Sequence, residues 1–191
     1  TTMISSNDKT VFQHSLRIVA TGGECTGKTT LIAQLAAFFK APYSAEAARE
    51  YADKLGRIVQ YDDVEAIAQE QIANEDKLLP CDSSVIFLDT DLYSTLVYSY
   101  FYFERGPVWI DPLCNARRAD LYLLCDADLT WVEERFQRGT EDPRRRRTIH
   151  DLFAEILRRS GCNIVNISGQ GDTRLDQAIQ AVNEKIGVMG K

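Results

Sequence analysis

The sequence predicts an α/β fold of three layers, a parallel five-stranded sheet with helices on both faces and an arginine-rich lid. Three observations carry this. Short apolar runs alternate along the chain with longer amphipathic stretches. The central runs are continuously apolar, as strands covered on both faces must be. The first of them opens into a glycine-rich turn ending in Lys28-Thr29, which an amphipathic stretch follows.

Taken in order, Arg17-Ile18-Val19-Ala20 reads as the first buried strand. Lys28 to Lys40 reads as a helix, because Leu31, Ile32, Leu35, Ala36 and Phe39 recur on one face, and Pro42 stops it. A short second strand near Tyr43-Ser44 precedes a helix from about Ala45 to Leu55. Asp62 to Leu79 reads as a longer helix, with Asp62 and Asp63 as N-cap candidates and Pro80 past its end. Val85-Ile86-Phe87-Leu88, closed by Asp89, is the third strand. Thr90 to Arg105 reads as helix up to Gly106-Pro107. Leu121 to Cys125 and Ile164 to Ile167 supply the remaining strands, and helices are expected at about 130–138, 148–160 and 172–187. Residues 1–14 are polar and aperiodic, the pattern of a flexible leader, and residues 15–191 read as a single domain with a lid at about 133–148.

Composition narrows the functional classes. The chain has 191 residues, 45% hydrophobic and 26% charged, the profile of an ordinary globular domain rather than a disordered or disulfide-stapled one. Its formal charge of -6 has the wrong sign for a dedicated nucleic-acid binder. No apolar run reaches the roughly 20 residues a membrane span needs. The five cysteines, Cys25, Cys81, Cys114, Cys125 and Cys162, form no C-x-x-C pair, which suits a reducing cytoplasm. With only two histidines, His14 and His150, a histidine-based metal site or catalytic triad has little to draw on.

Gly22-Gly23-Glu24-Cys25-Thr26-Gly27-Lys28-Thr29 fits the phosphate-loop pattern G-x-x-x-x-G-K-[ST] without a mismatch, between a strand and a helix as that pattern requires. Such a loop turns backbone N–H groups toward a phosphate at a helix N-terminus. Lys28 then reaches the β- and γ-phosphates of a bound nucleoside triphosphate, and the Thr29 hydroxyl holds Mg²⁺. Asp89 ends the next strong strand, at the sheet edge where ligands of parallel sheets bind, and is the natural second metal partner. Asp91, two residues on, is either a second carboxylate for the reacting hydroxyl or the N-cap of the following helix.

Glu46 and Arg49 follow the second strand at the same edge, facing the cleft together or forming an i,i+3 surface pair. The most basic stretch gathers six arginines, Arg135, Arg138 and Arg144 to Arg147, within 13 positions. It reads as a lid able to neutralise a transferring phosphoryl group, or as a charged turn paired with Glu133, Glu134 and Glu141. No aromatics interleave Arg144 to Arg147, which argues against RNA binding there. Aromatics concentrate between Tyr93 and Trp109, and Tyr93 is the candidate to stack on a heteroaromatic substrate.

The phosphate loop, Glu46-Ala47-Ala48-Arg49-Glu50-Tyr51, Phe87-Leu88-Asp89-Thr90-Asp91 and Asp128-Leu129-Thr130-Trp131-Val132 occur in this order. Together they resemble the ribosylnicotinamide kinase domain of NadR-type proteins, a P-loop family, from about Leu16 to Gly187. The resemblance implies ATP- and Mg²⁺-dependent phosphorylation of the ribose 5′-hydroxyl of nicotinamide riboside, giving nicotinamide mononucleotide. Carried over by position, Gly22 to Thr29 with Thr30 beside them hold the ATP phosphates, and Asp89 serves the metal or the base. Glu46, Arg49, Asp91 and Tyr93 line the substrate side, and Gly169 with Arg174 border the adenine. The catalytic set is then Lys28, Asp89, Asp91 and a lid arginine, with Arg138 the candidate. Two positions depart from the family pattern. Ala45 stands where an aromatic is usual, and Glu133-Glu134-Arg135 replaces an Asp-Gly. Other nucleoside or nucleoside-monophosphate kinases, and a regulatory ATPase or switch acting on a protein partner, are the alternatives.

Overall fold

The structure, a computed structural model, describes residues 15–189 apart from Pro80 and Gln137. The expected leader at 1–14, with His14, and the expected stop at Pro80 lie outside the described residues. The strands are β1 (Leu16–Thr21), β2 (Tyr43–Ser44), β3 (Val85–Asp89), β4 (Leu121–Cys125) and β5 (Ile164–Ile167). The helices are α1 (Lys28–Phe39), α2 (Ala47–Leu55), α3 (Val64–Asp76), α4 (Leu92–Phe103), α5 (Ile110–Ala116), α6 (Pro143–Arg159) and α7 (Asp172–Met189), with a 3-10 turn at Tyr61–Asp63 before α3.

All strand pairings are parallel, in the order β2-β3-β1-β4-β5. From β1 the chain moves out to β2 at the edge, returns to β3 beside β1, then crosses to the other side for β4 and β5. The switch in direction therefore falls at the carboxyl end of β1, the place where such sheets hold ligands. Alternation along the strands fills two cores. Ile18, Ala20, Phe87 and Leu123 pack against Ile32 and Leu35 of α1 and Ala178 and Val182 of α7. Val19, Ile86, Leu88 and Tyr122 pack against Ala68 of α3, Leu96 of α4, Cys114 of α5 and Leu157 of α6. Helices on both faces explain why the strands carry apolar residues on both sides.

Helix ends match local chemistry with several corrections. α2 begins at Ala47 rather than Ala45, because Glu46 is extended at its N-cap. Tyr61–Asp63 is 3-10, and the Asp63 carboxylate turns back to the Gln60 N–H and to Arg57 instead of capping α3. α4 begins at Leu92, two residues later than expected, because Asp91 caps it by accepting from the Tyr93 N–H at 3.0 Å. Arg144 to Arg147 are helical: Asp142 accepts from the Arg144 N–H, and Pro143 occupies the first turn of α6.

Residues 130–138, expected as helix, are not helical among the residues described there. The Val132 N–H and carbonyl are both engaged by the Cys25 thiol, and Phe136 adopts a left-handed φ of 61°. Contacts made elsewhere outweigh the weak helical preference of so short a segment. Conversely α5 was not expected. Its Pro112 lies in the first turn, where a missing N–H costs little.

Asp91 is buried, and its carboxylate also accepts from the Tyr122 hydroxyl at 2.8 Å. Burial, with Glu75 adding repulsion, lifts its carboxyl to about 7. The folded chain thus keeps a proton that the unfolded chain has released above about pH 4. This contribution to stability is complete below about pH 4 and is lost as pH rises through 7. Asp91→Asn keeps a neutral cap. In the ligand-free chain its stability relative to wild type should therefore rise between pH 4 and pH 8, by on the order of 3–4 kcal/mol at most. Urea unfolding at several pH values measures this. A difference independent of pH would contradict the buried, proton-holding cap.

Candidate active site

The loop Gly22–Thr29 joins β1 to α1, and its surroundings hold its carbonyls outward. Tyr98 donates to the Gly22 carbonyl at 3.1 Å, Arg146 to Cys25 at 3.2 Å, and Arg174 to Thr26 at 2.7 Å. Inside the loop, Thr26 Oγ1 and Lys28 Nζ both donate to the Gly23 carbonyl. Carbonyls held on the outside of a tight turn aim its N–H groups inward, the cradle an anion needs. Gly22 has φ 131°, and a Cβ there would lie 2.7 Å from the Cys125 carbonyl oxygen, so no side chain fits.

Parallel pairing sets Ala20 of β1 beside Asp89 of β3, which brings the carboxylate under the loop. Thr29 Oγ1 donates to Asp89 Oδ2 at 2.6 Å, while Asp89 Oδ1 is buried without a hydrogen-bond partner. Burial pushes the Asp89 carboxyl up, opposed by the Lys28 charge. Glu46, from the end of β2, is pushed up by burial more than Lys28 and Arg49 pull it down, and Asp89 and Glu24 add repulsion. Lys28, Glu46, Asp89, Glu24 and Arg49 therefore form one electrostatic cluster.

A hydroxyl and a carboxylate with an unpartnered oxygen are hard donors that fit Mg²⁺. Among the described residues no group of three or more His, Cys, Asp or Glu gathers to enclose a metal. A cation here would thus complete its shell with phosphate and water, as Mg²⁺ prefers.

Beside this cluster opens a cavity of about 870 Å³, mouth included, bounded by α2, α3, α4 and the segment before α6. Its walls include Glu24, Glu46, Arg49, Gln71, Thr90, Ser94, Tyr98, Tyr102, Phe103, Phe136 and Arg138. The Tyr98 and Tyr102 rings lie parallel at 6.0 Å, and the Tyr102 hydroxyl donates to Glu24. The irregular segment between β4 and α6 straps this cavity. Arg138 donates twice to the Val59 carbonyl, at 3.1 and 2.8 Å, with its guanidinium over the Phe103 ring. Glu134 pairs with Arg49 of α2 at 2.7 Å. At Gly139 a Cβ would meet the Trp131 ring at 2.2 Å, so glycine lets the strap pass that close to the indole.

The sequence-derived candidates divide accordingly. Gly22 to Thr29, Asp89, Glu46 and Arg49 are brought together, with Thr30 exposed in the first turn of α1. Asp91 is not with them: its carboxylate points to the core. Tyr93 is fully buried, its hydroxyl on Asn115 Oδ1 at 3.0 Å, so it does not offer a stacking face. Tyr98 and Tyr102 line the cavity instead, and their signal is the i,i+4 spacing with Ser94 along one face of α4. Arg138 reaches the cavity mouth, whereas the arginine of this basic stretch that donates to a phosphate-loop carbonyl is Arg146, which also donates to the Leu129 carbonyl at 2.9 Å. Gly169 and Arg174 are joined. Arg174 donates to the Gly169, Thr26 and Asp126 carbonyls and pairs with Asp128, which accepts from the Gly169 N–H. Ala45 is exposed outside this arrangement. Gln71, which the sequence does not single out, sits buried at the cavity wall.

The family model AAA_28, an AAA domain, matches residues 17–174. Over 174 residues the chain is 28% identical to the trifunctional NAD biosynthesis/regulator protein NadR of Salmonella typhimurium, an alignment covering 88% of this chain and 42% of that protein. The chain thus spans less than half the length of that relative. It is similar to the crystal structure of NadR protein in complex with NR, with TM-score 0.75 and 27% identity, over 90% of this chain and 51% of that one. The crystal structure of NadR protein in complex with NAD and AMP-PNP gives TM-score 0.77 and 28% identity, over 91% of this chain and 50% of that one.

Arg174 ties two loops, those after β4 and β5, to the back of the phosphate loop, and its side chain is 7% exposed against 32% for Asp128. Arg174→Met keeps the apolar stem and leaves the carbonyls and Asp128 without their donor. We expect a loss of about 2–3 kcal/mol of stability, discounted for the exposure of Asp128. Affinity for an ATP analogue should fall on the order of tenfold. Urea unfolding and titration calorimetry measure the two, and unchanged analogue affinity would show that the loop does not depend on Arg174.

Proposed function

The chain belongs to the AAA_28 family of AAA domains, and on that premise we propose that it is an ATP-dependent kinase for a small nucleoside-like acceptor, with nicotinamide riboside first. One observation carries this reading: Lys28, Asp89 and Glu46 meet at the junction between a phosphate loop and an aromatic-walled cavity. A nucleotide switch needs the loop and the Thr29–Asp89 pair but has no use for the second cavity. The similarity to NadR structures holding NR and AMP-PNP supports both the acceptor and the donor.

In this reading the acceptor oxygen attacks the γ-phosphorus, the bond to the β,γ-bridging oxygen breaks, and ADP leaves. The acceptor proton passes to Glu46, which burial makes more basic than an ordinary glutamate. That role falls to Glu46 because Asp91 faces the core and Asp89, paired with Thr29, is taken as the cation's partner. Lys28 follows the phosphoryl charge when it releases the Gly23 carbonyl. Arg146, already on the loop, adds a second cation, while Arg138 and Arg49 close the acceptor side. Thr29 and Asp89 would hold Mg²⁺, which neutralises phosphate charge when bound. Residues 15–191 act as one kinase domain, and the segment at about 133–148 serves as its lid through the Glu134 and Arg138 contacts.

Arg49, Arg135 and Arg138 at the cavity also suit an acceptor that already carries one phosphate. A nucleoside-monophosphate kinase is the second reading for that reason. Neither reading calls for a nucleic acid or a membrane, and among the described residues no helix is long and apolar enough to cross one. ATP as donor and unpaired thiols at all five cysteines suit a cytoplasmic setting.

ADP release, assayed with Mg²⁺ across nicotinamide riboside, other nucleosides and their monophosphates, separates these readings. Phosphorylated nicotinamide riboside is the expected product, and no product from any acceptor would end the kinase reading. Glu46→Gln should lower kcat on the order of 10²–10⁴-fold while the ATP analogue still binds. A kcat within twofold of wild type would remove Glu46 as the base.

A further inference from the structure

The side chain of Gln71 is buried in α3, 2% exposed, with its amide divided among three elements. Its Oε1 accepts from the Ala47 N–H at 3.4 Å, a long contact to the residue that follows Glu46. Its Nε2 donates to the Thr90 carbonyl at 3.1 Å, the residue that follows Asp89, and to Glu75 Oε1 at 3.2 Å. One amide thus touches the backbone next to each carboxylate of the reaction.

Both attachment points need such support. Ala47 is the first residue of α2, and Glu46 offers no side-chain cap, so its N–H is one of the donors that a helix start leaves unsatisfied. Thr90 is β-branched and sits at φ 69°, a strained left-handed conformation that persists only where its surroundings impose it. That turn lets Asp89 face the phosphate loop while Asp91 faces the core.

The orientation of the amide is itself fixed. Glu75 is 1% exposed and is held by Arg17 at 2.6 Å and Arg117 at 3.1 Å. A carboxylate only accepts, so the end of Gln71 facing it must be the NH₂, which turns the oxygen to Ala47.

We infer that Gln71 is a positioning residue, setting the distance between the Glu46 and Asp89 carboxylates through the Ala47 N–H and the Thr90 carbonyl. This rests on the kinase reading above. It differs from a direct contact with the acceptor, which the place of Gln71 on the cavity wall would also permit, and the two part in kinetics. Misplaced catalytic groups slow the chemical step, whereas a lost substrate contact weakens binding.

Gln71→Met keeps length and volume and removes the amide. In steady-state phosphorylation of nicotinamide riboside we expect kcat to fall on the order of 10–100-fold. KM for ATP and for the acceptor should stay within about threefold, and ADP released per phosphorylated product should rise above the wild-type ratio. A merely structural role would lower ADP release and product together, in step with the folded fraction measured by circular dichroism, and that outcome overturns the inference. So does a higher acceptor KM with kcat unchanged, or kinetics like wild type. If Gln71→Met does not fold, Gln71→Asn keeps a buried amide one methylene shorter and carries the same test, with the same split expected. Absence of product from the wild-type chain would instead fell the kinase reading, and this inference with it.

Discussion

A loop built to grip a polyanion with backbone N–H groups needs its carbonyls engaged elsewhere, and its own Thr26 and Lys28 engage only that of Gly23. Much of this molecule answers that constraint. Donors from four directions engage the loop carbonyls or their neighbourhood: Tyr98 from α4, Arg146 from α6, Arg174 from α7 and the backbone of Val132 on the Cys25 thiol. Lys28 lies back on Gly23 and keeps the hollow from being lined by an uncompensated carbonyl. The helices that build the two cores thus also aim side chains at one short turn, and the site inherits its shape from packing on both faces of the sheet.

The second constraint is charge. Glu24, Glu46 and Asp89 lie close together in a poorly solvated cleft, with Lys28 and Arg49 between them. Such a cluster is unstable to rearrangement unless the backbone beneath it is fixed. The linked side chains of Arg17, Arg117, Glu75 and Gln71, the last two buried, provide that footing, extending from the amino end of the sheet to its carboxyl end. Glu134 adds a link from above. It stands among the residues that depart from the family pattern, and its ion pair with Arg49 joins the strap to the acceptor side.

The fold was largely legible in the sequence because strands buried on both faces announce themselves as apolar runs, and the phosphate loop does so by its glycines and Lys28-Thr29. Asp89 was legible for the same reason, as the polar residue closing such a run. Asp91 was not, since two adjacent-looking carboxylates at a strand end diverge once Thr90 turns left-handed, and a Thr does not advertise that conformation. Tyr93 and Tyr98 differ by little in composition, yet the rotation of α4 sends one to the core and the other to the cavity. The strap is not legible as an irregular segment because its order comes from Cys25, Val59 and Arg49, which are distant in sequence. Gln71 carried no signal at all, since a lone glutamine on a helix is ordinary until its partners are seen.

The strand order has a consequence for how the molecule is assembled. β1 is central, but its neighbours β3 and β4 come from well down the chain, so both contacts close long loops before they are rewarded. The glycine-rich turn leaves the end of β1, and the groups that hold it arrive with α4, α6 and α7. A nascent chain that has made the turn and α1 therefore has a nucleotide motif but no nucleotide site. The full set of contacts on that turn needs α7, the last helix of the chain, as much as β1 and α1.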